Sequence, residues 1–340
     1  RSLSMISLLR QKSFRDTASQ VGFIGVLILL VVTFALTAKT NLDAQGMTSG
    51  FGFLERATGW GVSFSLIPFD TNDTYARVIL VGLLNSLFLG AISLTLATVI
   101  GIGIGIMRVS GNKMAELIGT VYVEIFRNLP LLLQAFFWYA VLTTLPRPRD
   151  ALEFGGVAFL NGRGAYLPGL NVTGFSVFLA AIALAVTVGL WLWLRSARRF
   201  ARMAPHIKKA WSRGLWLGWA ALAVALLWAG RIPETPLLSI PTLKGLNFRG
   251  GIRVSPELLT CIIAISVYGG AYIGEIVRAG FNAVGKGQSE AGHALGLSTW
   301  QTFPRIRLPL AIRAVMPMLI NQYVWLFKST TIGIAVGFVD

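Results

Sequence analysis

Few ionisable residues stand inside the apolar stretches of this sequence, and those few repeat one arrangement. Glu124 precedes Arg127 by three residues, and Glu275 precedes Arg278 by the same interval. On a helix that interval puts both members on one face, where they can pair. Pairing lowers the cost of holding a charge at membrane depth, which for a lone charge is on the order of several kcal/mol. Asn85, Gln134, Asn321 and Gln322 fall within or at the ends of the same stretches. Such groups usually face the interior of a helix bundle. The two Glu to Arg pairs read as structural hinges near the inner surface. Gln134, Asn321 and Gln322, with Glu275 and Glu124 behind them, are the candidates for lining a path through the bundle; hydrogen bonding between helices is an equal alternative for the amides.

Other chemistries lack their residues. Two histidines and one cysteine, with no cluster of Cys, Asp or Glu, give no metal site. Cys261 lies in an apolar run and reads as a small packing residue. No G-x4-G-K-[ST] loop occurs, so the chain carries no nucleotide-binding element of that kind and implies no cofactor of its own. Gly101-Ile-Gly103-Ile-Gly105 resembles part of a dinucleotide fingerprint but sits deep in an apolar run without a preceding strand, so it reads as packing.

A polar, glycine-broken segment lies between two apolar runs near the end of the sequence. In it Glu290, Ala291 and Gly292 are followed after three residues by Gly296, and after nine more by Ile306, Leu308 and Pro309. Gln288 to Leu295 reads as a helix, with Ser289 at its N-cap, Glu290 in its first turn and Gly296 ending it. Ser298 to Phe303 reads as a second helical piece stopped by Pro304. The expected product is a compact helix-turn-helix knob, held by membrane helices on both sides and so able to transmit motion.

These features need membrane spans to position them, and the composition supplies them. Hydrophobic residues make up 54% of the chain and charged ones 13%, which excludes an ordinary soluble domain. Apolar runs long enough to span are Val21 to Ala38, Val78 to Met107, Ile118 to Leu145 (kinked or broken at Pro130), Phe175 to Leu194, Gly214 to Gly230, Pro256 to Val277 and Leu310 to Phe327. A signal peptide is the rival reading of the first. Gly82, Ser86, Gly90, Ala97, Gly101 and Gly105 form a small-residue stripe on the second, suited to close helix approach. The net charge of +16 reflects loops beside spans rather than a nucleic-acid surface. Arg195, Arg198, Arg199, Arg202, Lys208, Lys209 and Arg213, unaccompanied by any acid, put the 195–213 loop inside. Residues 39–77, 147–174 and 231–254 then read as external loops, and the N-terminus, with Arg10, Lys12 and Arg15, as cytoplasmic. Four segments result: 1–77, a first span and external loop; 78–146, a first part of the core; 147–253, an insertion with two extra spans; and 254–340, a second part of the core containing the loop 282–309.

The sequence E-A-G-x3-G-x9-I-x-L-P at 290–309 resembles the EAA-x3-G-x9-I-x-L-P spacing of the cytoplasmic coupling loop of permease subunits of ABC importers. YVEIFRNLPLLLQ at 122–134, YIGEIVRAGFNAVGKGQSEAGHALGLS at 272–298 and LPLAIRAVMPMLINQY at 308–323 resemble the polar amino-acid branch of that family. TPLLSIP and the FRGG at 248–251 are similar to its general L-amino-acid subgroup. The resemblance implies an all-α polytopic permease fold of type I, in the bacterial inner membrane, with a further span expected after Asp340. It also implies that Glu290, Ala291, Gly292 and Gly296 dock on a dimer of ATP-binding subunits that hold ATP and Mg, with Ile306, Leu308 and Pro309 as anchors. A second, homologous but non-identical permease chain and a periplasmic amino-acid-binding protein complete the implied assembly. Gly292 departs from the alanine of the pattern, a change expected to weaken the helix by up to about 1 kcal/mol. A secondary transporter would need an intramembrane ion site and an internal repeat, and a membrane scaffold would not need proline and glycine inside spans.

Overall fold

The computed structural model describes residues 12–45, 50–196, 203–233 and 235–339. Arg10, Arg198, Arg199 and Arg202, among the basic residues singled out above, lie outside them. The chain divides into two compact units.

The smaller unit comprises Arg1–Trp60 and Asp70–Val78. Its helix α1, Lys12–Ala44, extends beyond the expected span at both ends. A short 3-10 turn, Phe51–Glu55, follows. The chain then closes on itself: Thr58 N–H donates to Asp73 O at 2.9 Å, and Tyr75 N–H donates to Arg56 O at 3.0 Å.

The larger unit holds the remaining helices: α2, Tyr75–Met107, whose first turn belongs to the smaller unit; α3, Lys113–Asn128; α4, Leu131–Thr143; α5, Gly174–Ser196; α6, Pro205–Ala229; and α7, Pro256–Ala283. They continue with α8, Lys286–Ala294; α9, Thr299–Thr302; a π turn, Phe303–Arg307; α10, Leu308–Lys328; and a 3-10 segment, Ser329–Val336. Among the described residues of both units, six helical runs can cross a membrane by length and composition, or seven if the bent pair of α3 and α4 is one span. α7 is the hub, with 67% of its apolar window buried against 28% for α2. α3, α4 and α10 pack around it.

Glycines bring α2 against α7. A Cβ on Gly101 would lie 2.6 Å from Ile273, and one on Gly105 would lie 2.6 Å from Val277 Cβ. In return, Cβ atoms on Gly270 and Gly274 would lie 2.6 and 3.0 Å from Ile100 and Ile104. Each helix thus inserts branched side chains where the other has none, the close approach expected of the small-residue stripe.

The expected span from Ile118 to Leu145 is two helices bent by 102°. Pro130 has no N–H and disfavours helical geometry in the residue before it. Leu129 is accordingly extended (φ −85°, ψ 128°), and α3 ends at Asn128.

Two expected external loops are more ordered than irregular. Short strands form there: β1 Leu152–Phe154, β2 Ala158–Asn161, β3 Gly164–Leu167, β4 Gly169–Leu170, β5 Leu238–Ser239, β6 Thr242–Lys244, β7 Asn247–Arg249 and β8 Ile252–Val254. They pair antiparallel as β1-β2-β3-β8, β4-β5 and β6-β7. Phe248 is buried and stacks on Phe159 and Tyr166, with centroids 4.5 and 5.0 Å apart, tying the hairpins into one module. The strands are two to four residues long, too short for an alternating pattern to be read from sequence.

Candidate functional site

The two Glu to Arg pairs behave differently. Glu275 Oε1 accepts from Arg278 as the spacing requires, but its Oε2 also accepts from Arg108, at the end of α2. The Arg108 side chain is only 8% exposed, that of Glu275 25% and that of Arg278 34%. Arg108 directly follows the apolar run that ends at Met107; its pairing across 167 residues had no local signal.

The expected Glu124 to Arg127 pair does not form. Glu124 Oε2 instead accepts from Asn128 Nδ2 at 3.2 Å. The Arg127 guanidinium lies over the Tyr272 ring, 5.0 Å from its centroid, and its Nε is sealed from solvent without a hydrogen-bond partner. The ring face attracts the cation in place of a carboxylate. Tyr272 stacks in turn with Tyr268 and Trp325.

Gln134 is buried and serves the break. Its Nε2 donates to Phe126 O at 2.9 Å and Leu129 O at 3.0 Å, supplying partners for carbonyls at the end of α3. Its Oε1 has no partner among the described residues. Asn85, fully buried, donates to Phe64 O and Val339 O, each at 2.9 Å, and so ties two chain segments together. Asn321 is exposed, and Gln322 is half-buried with an unpartnered Nε2. A cavity of about 230 Å³ between α2, α7 and α10 is lined by apolar groups together with Thr98 and Tyr323, which bond each other at 3.0 Å. Neither Gln134, Asn321 nor Gln322 lines it.

The segment 290–309 does fold as a knob, with altered boundaries. α8 starts at Lys286 with Gly285 as N-cap, so Ser289 lies inside the helix and Glu290 falls in its second turn. Its end is a full left-handed cap. Gly296 has φ 76°, its N–H donates to His293 O, and Leu297 N–H donates to Gly292 O at 3.0 Å. Ser298 then forms a reciprocal capping box with Gln301 at the start of α9.

Pro304 does not stop the second piece. It sits in the π turn, whose wider ladder tolerates a missing donor, and the helix runs on into α10. Phe281 at the end of α7 stacks on Phe303 at 5.2 Å, with Arg307 over its other neighbourhood at 5.8 Å.

Gly292 is buried against the second piece. A Cβ there would lie 3.0 Å from Ile306 Cδ1 and 3.1 Å from Thr302. The glycine therefore lets the two helical pieces meet closely, a use that helix propensity alone did not disclose. Leu308 lines the cavity beneath, while Pro309 is exposed in the first turn of α10. Glu290 and Ala291 face solvent. Beside them two large apolar side chains stand almost free, Leu295 at 80% and Trp300 at 85% exposure. In the sequence they are not distinguishable from the other apolar residues of the segment, Leu297, Phe303 and Ile306.

Residues 215–338 match the family model described as binding-protein-dependent transport system inner membrane component. A putative amino-acid ABC transporter permease protein of Escherichia coli is 39% identical over 94% of this chain and 79% of its own length. A general L-amino acid transport system permease protein of Rhizobium johnstonii is 36% identical over 99% of this chain and 84% of its own. A glutamate/glutamine/aspartate/asparagine transport system permease protein of Rhodobacter capsulatus is 32% identical over 98% and 84%. With likeness of that extent, joined to several spans and a knob between the last two, the chain belongs to the family of permease subunits of amino-acid ABC transporters.

Proposed function

We propose that this permease moves polar L-amino acids inward across the bacterial inner membrane by alternating access, driven by a separate dimer of ATP-binding subunits. The supporting observation is the knob: a rigidly capped element with Leu295, Trp300, Glu290 and Ala291 on its free surface. Two exposed apolar side chains on a charged element between membrane helices fit a groove on another subunit better than they fit water. Closure of the ATPase dimer would carry such knobs together and rock the permease halves. The Phe281 and Phe303 stack, continuous with α7 and α10, is the mechanical link from knob to bundle. ATP and Mg belong to the ATPase in this scheme, and the chain itself catalyses nothing.

Substrate reaches the outer face from a periplasmic binding protein, and a homologous, non-identical permease chain completes the path. The N-terminus is cytoplasmic. Arg127 Nε, Gln134 Oε1 and Gln322 Nε2, sealed and unpartnered, are among the groups with hydrogen-bonding capacity left for a substrate or a partner helix, together with Asn85 Oδ1, Ser93 Oγ and Thr260 Oγ1. Glu275 and Glu124, engaged with Arg108, Arg278 and Asn128, act as structural ties.

Co-purification tests the scheme: the tagged permease should bring down an ATPase and a second permease. In reconstituted vesicles Trp300→Ala and Glu290→Lys should each lower ATP-driven uptake while the permease still inserts. Full uptake by both variants would refute docking through the knob.

A further inference from the structure

The helices α5 and α6 pack on each other, and only 6% of the apolar window of each is buried. α6 ends and α7 begins at the β module of residues 147–173 and 231–254. At 25 and 28 residues they are about 38 and 42 Å long, each enough to cross a hydrocarbon core of about 30 Å. The start of α6 therefore shares a membrane face with the knob, and the β module lies on the other.

An open groove of about 570 Å³ runs along this pair from Ala210 to Leu222. Its floor is Gly214 and Gly218, where an added Cβ would meet nothing within 4 Å, and its walls are Trp211, Trp219, Leu222 and Thr187 of α5. Thr187 donates its hydroxyl proton to Ala183 O at 2.7 Å, and Trp219 Nε1 is sealed from the surface, so the walls present apolar area. Trp191 Nε1 donates to Ser212 Oγ at 3.1 Å, and Trp216 sits between the Trp191 and Trp219 rings, which braces the two helices against closing the groove. By helical rise the groove is about 18 Å long, the depth of one leaflet rather than of the whole core.

The mouth of the groove is cationic. Lys208, Lys209 and Arg213 stand in the first three turns of α6, and no Asp or Glu occurs between Glu153 and Glu234. Lys208 precedes Trp211 and Leu215 by three and seven residues, which puts it on the groove's own face, one turn nearer the water. Helical side chains lean toward the N-terminus, so its ammonium reaches past the apolar slot to headgroup depth. The first turn of α6 has no side-chain cap, and its N–H groups favour an anion at the same level. Orientation in the membrane accounts for basic residues in the loop, but not for an apolar slot one leaflet deep opening beneath them. A second copy of this chain would bring the same cations to the same depth, and like charges oppose that pairing.

We propose that the groove between α5 and α6 binds an anionic phospholipid of the knob-side leaflet, with an acyl chain along Gly214 and Gly218 and the phosphate beside Lys208 and the first turn of α6. This assignment does not rest on the importer reading.

The test uses phosphatidylglycerol and phosphatidylcholine probes that carry the same diazirine-bearing acyl chain, each at trace level in phosphatidylcholine nanodiscs holding the assembled transport complex. On illumination the phosphatidylglycerol probe should label residues 210–222 at least tenfold more than the phosphatidylcholine probe. Lys208→Gln should cut that preference about fivefold, and Lys208→Arg should keep it. Gly214→Leu with Gly218→Leu fills the groove while leaving every cation in place. Both positions open on free space, so the unfolding midpoint should hold while labelling by the anionic probe falls to the zwitterionic level. Equal labelling by the two probes in the parent overturns the proposal, because charge then selects nothing. Labelling that survives the filled groove also overturns it, since the lipid is then only part of the surrounding bilayer. So does a groove shielded from both probes by a co-purified chain, which makes it the seat of a partner helix.

Discussion

At the scale of single residues, the tie between Arg108, Glu275 and Arg278 distinguishes a buried charge from a partly solvated one. Arg108 is nearly enclosed and has Glu275 as its carboxylate partner, its Nε donating to Thr120 Oγ1 at 3.3 Å, whereas Arg278 keeps a third of its side chain in contact with the surroundings. Glu275→Gln removes the partner of an enclosed cation and should cost about 3 kcal/mol, at the lower end for a broken buried pair because the carboxylate itself is 25% exposed. Arg278→Gln should cost under about 1 kcal/mol, as for a surface pair. Thermal unfolding of the two purified variants in the same detergent gives the comparison, and equal losses would mean that Arg108 is not enclosed in the membrane. Gly292 makes a second prediction at this scale. A leucine there would collide with Ile306 and Thr302 and push the two pieces of the knob apart. Gly292→Leu should thus abolish ATP-driven uptake while leaving the bundle's unfolding midpoint nearly unchanged, and Gly292→Ala should fall between it and the parent.

At the scale of elements, the bend at Pro130 shows what pattern reading can and cannot supply. The proline announced a break, and the geometry of Leu129 is what an X-Pro dipeptide prefers. The size of the bend was not legible, because it depends on Gln134 reaching back to Phe126 O and Leu129 O from the next helix. A Gln134→Leu variant leaves those carbonyls without their donor but also removes an orphaned amide oxygen. The net loss should be about 1 kcal/mol, measurable as a lowered unfolding midpoint. Spans were legible because apolar length alone defines them, and the facing of α2 on α7 was half legible because Gly101 and Gly105 advertise close approach. Its other half, the isoleucines and Val277 that fill the gaps, looks in sequence like any other apolar residue. The same asymmetry governs the knob: Gly296 gave its turn, while Pro304 was misread as a stop because a π turn has no sequence signature distinct from a helix end.

At the scale of the whole molecule, the placement of the β module opposite the knob follows from helix lengths and order, independently of any charge count. α3 and α4, about 24 and 20 Å long by helical rise, are each shorter than a hydrocarbon core of about 30 Å. Neither helix crosses alone, so the bent pair makes at most one crossing between the Arg108 end of α2 and the β module. Treating it as two would put the 195–213 loop and the knob together on the face opposite the N-terminus and the Arg108 end of α2, and contradict the basic run at Lys208, Lys209 and Arg213. The single native cysteine, Cys261, is buried, so thiol labelling starts from a silent background. Lys244→Cys in β6 should react with a membrane-impermeant maleimide in intact cells whose outer membrane has been opened. Gln288→Cys on the exposed surface of α8 and Lys209→Cys in α6 should react only after the inner membrane is permeabilised. Labelling of Gln288→Cys and Lys244→Cys from the same side would mean that α7 does not cross the membrane, and would remove the geometry on which the coupling knob depends.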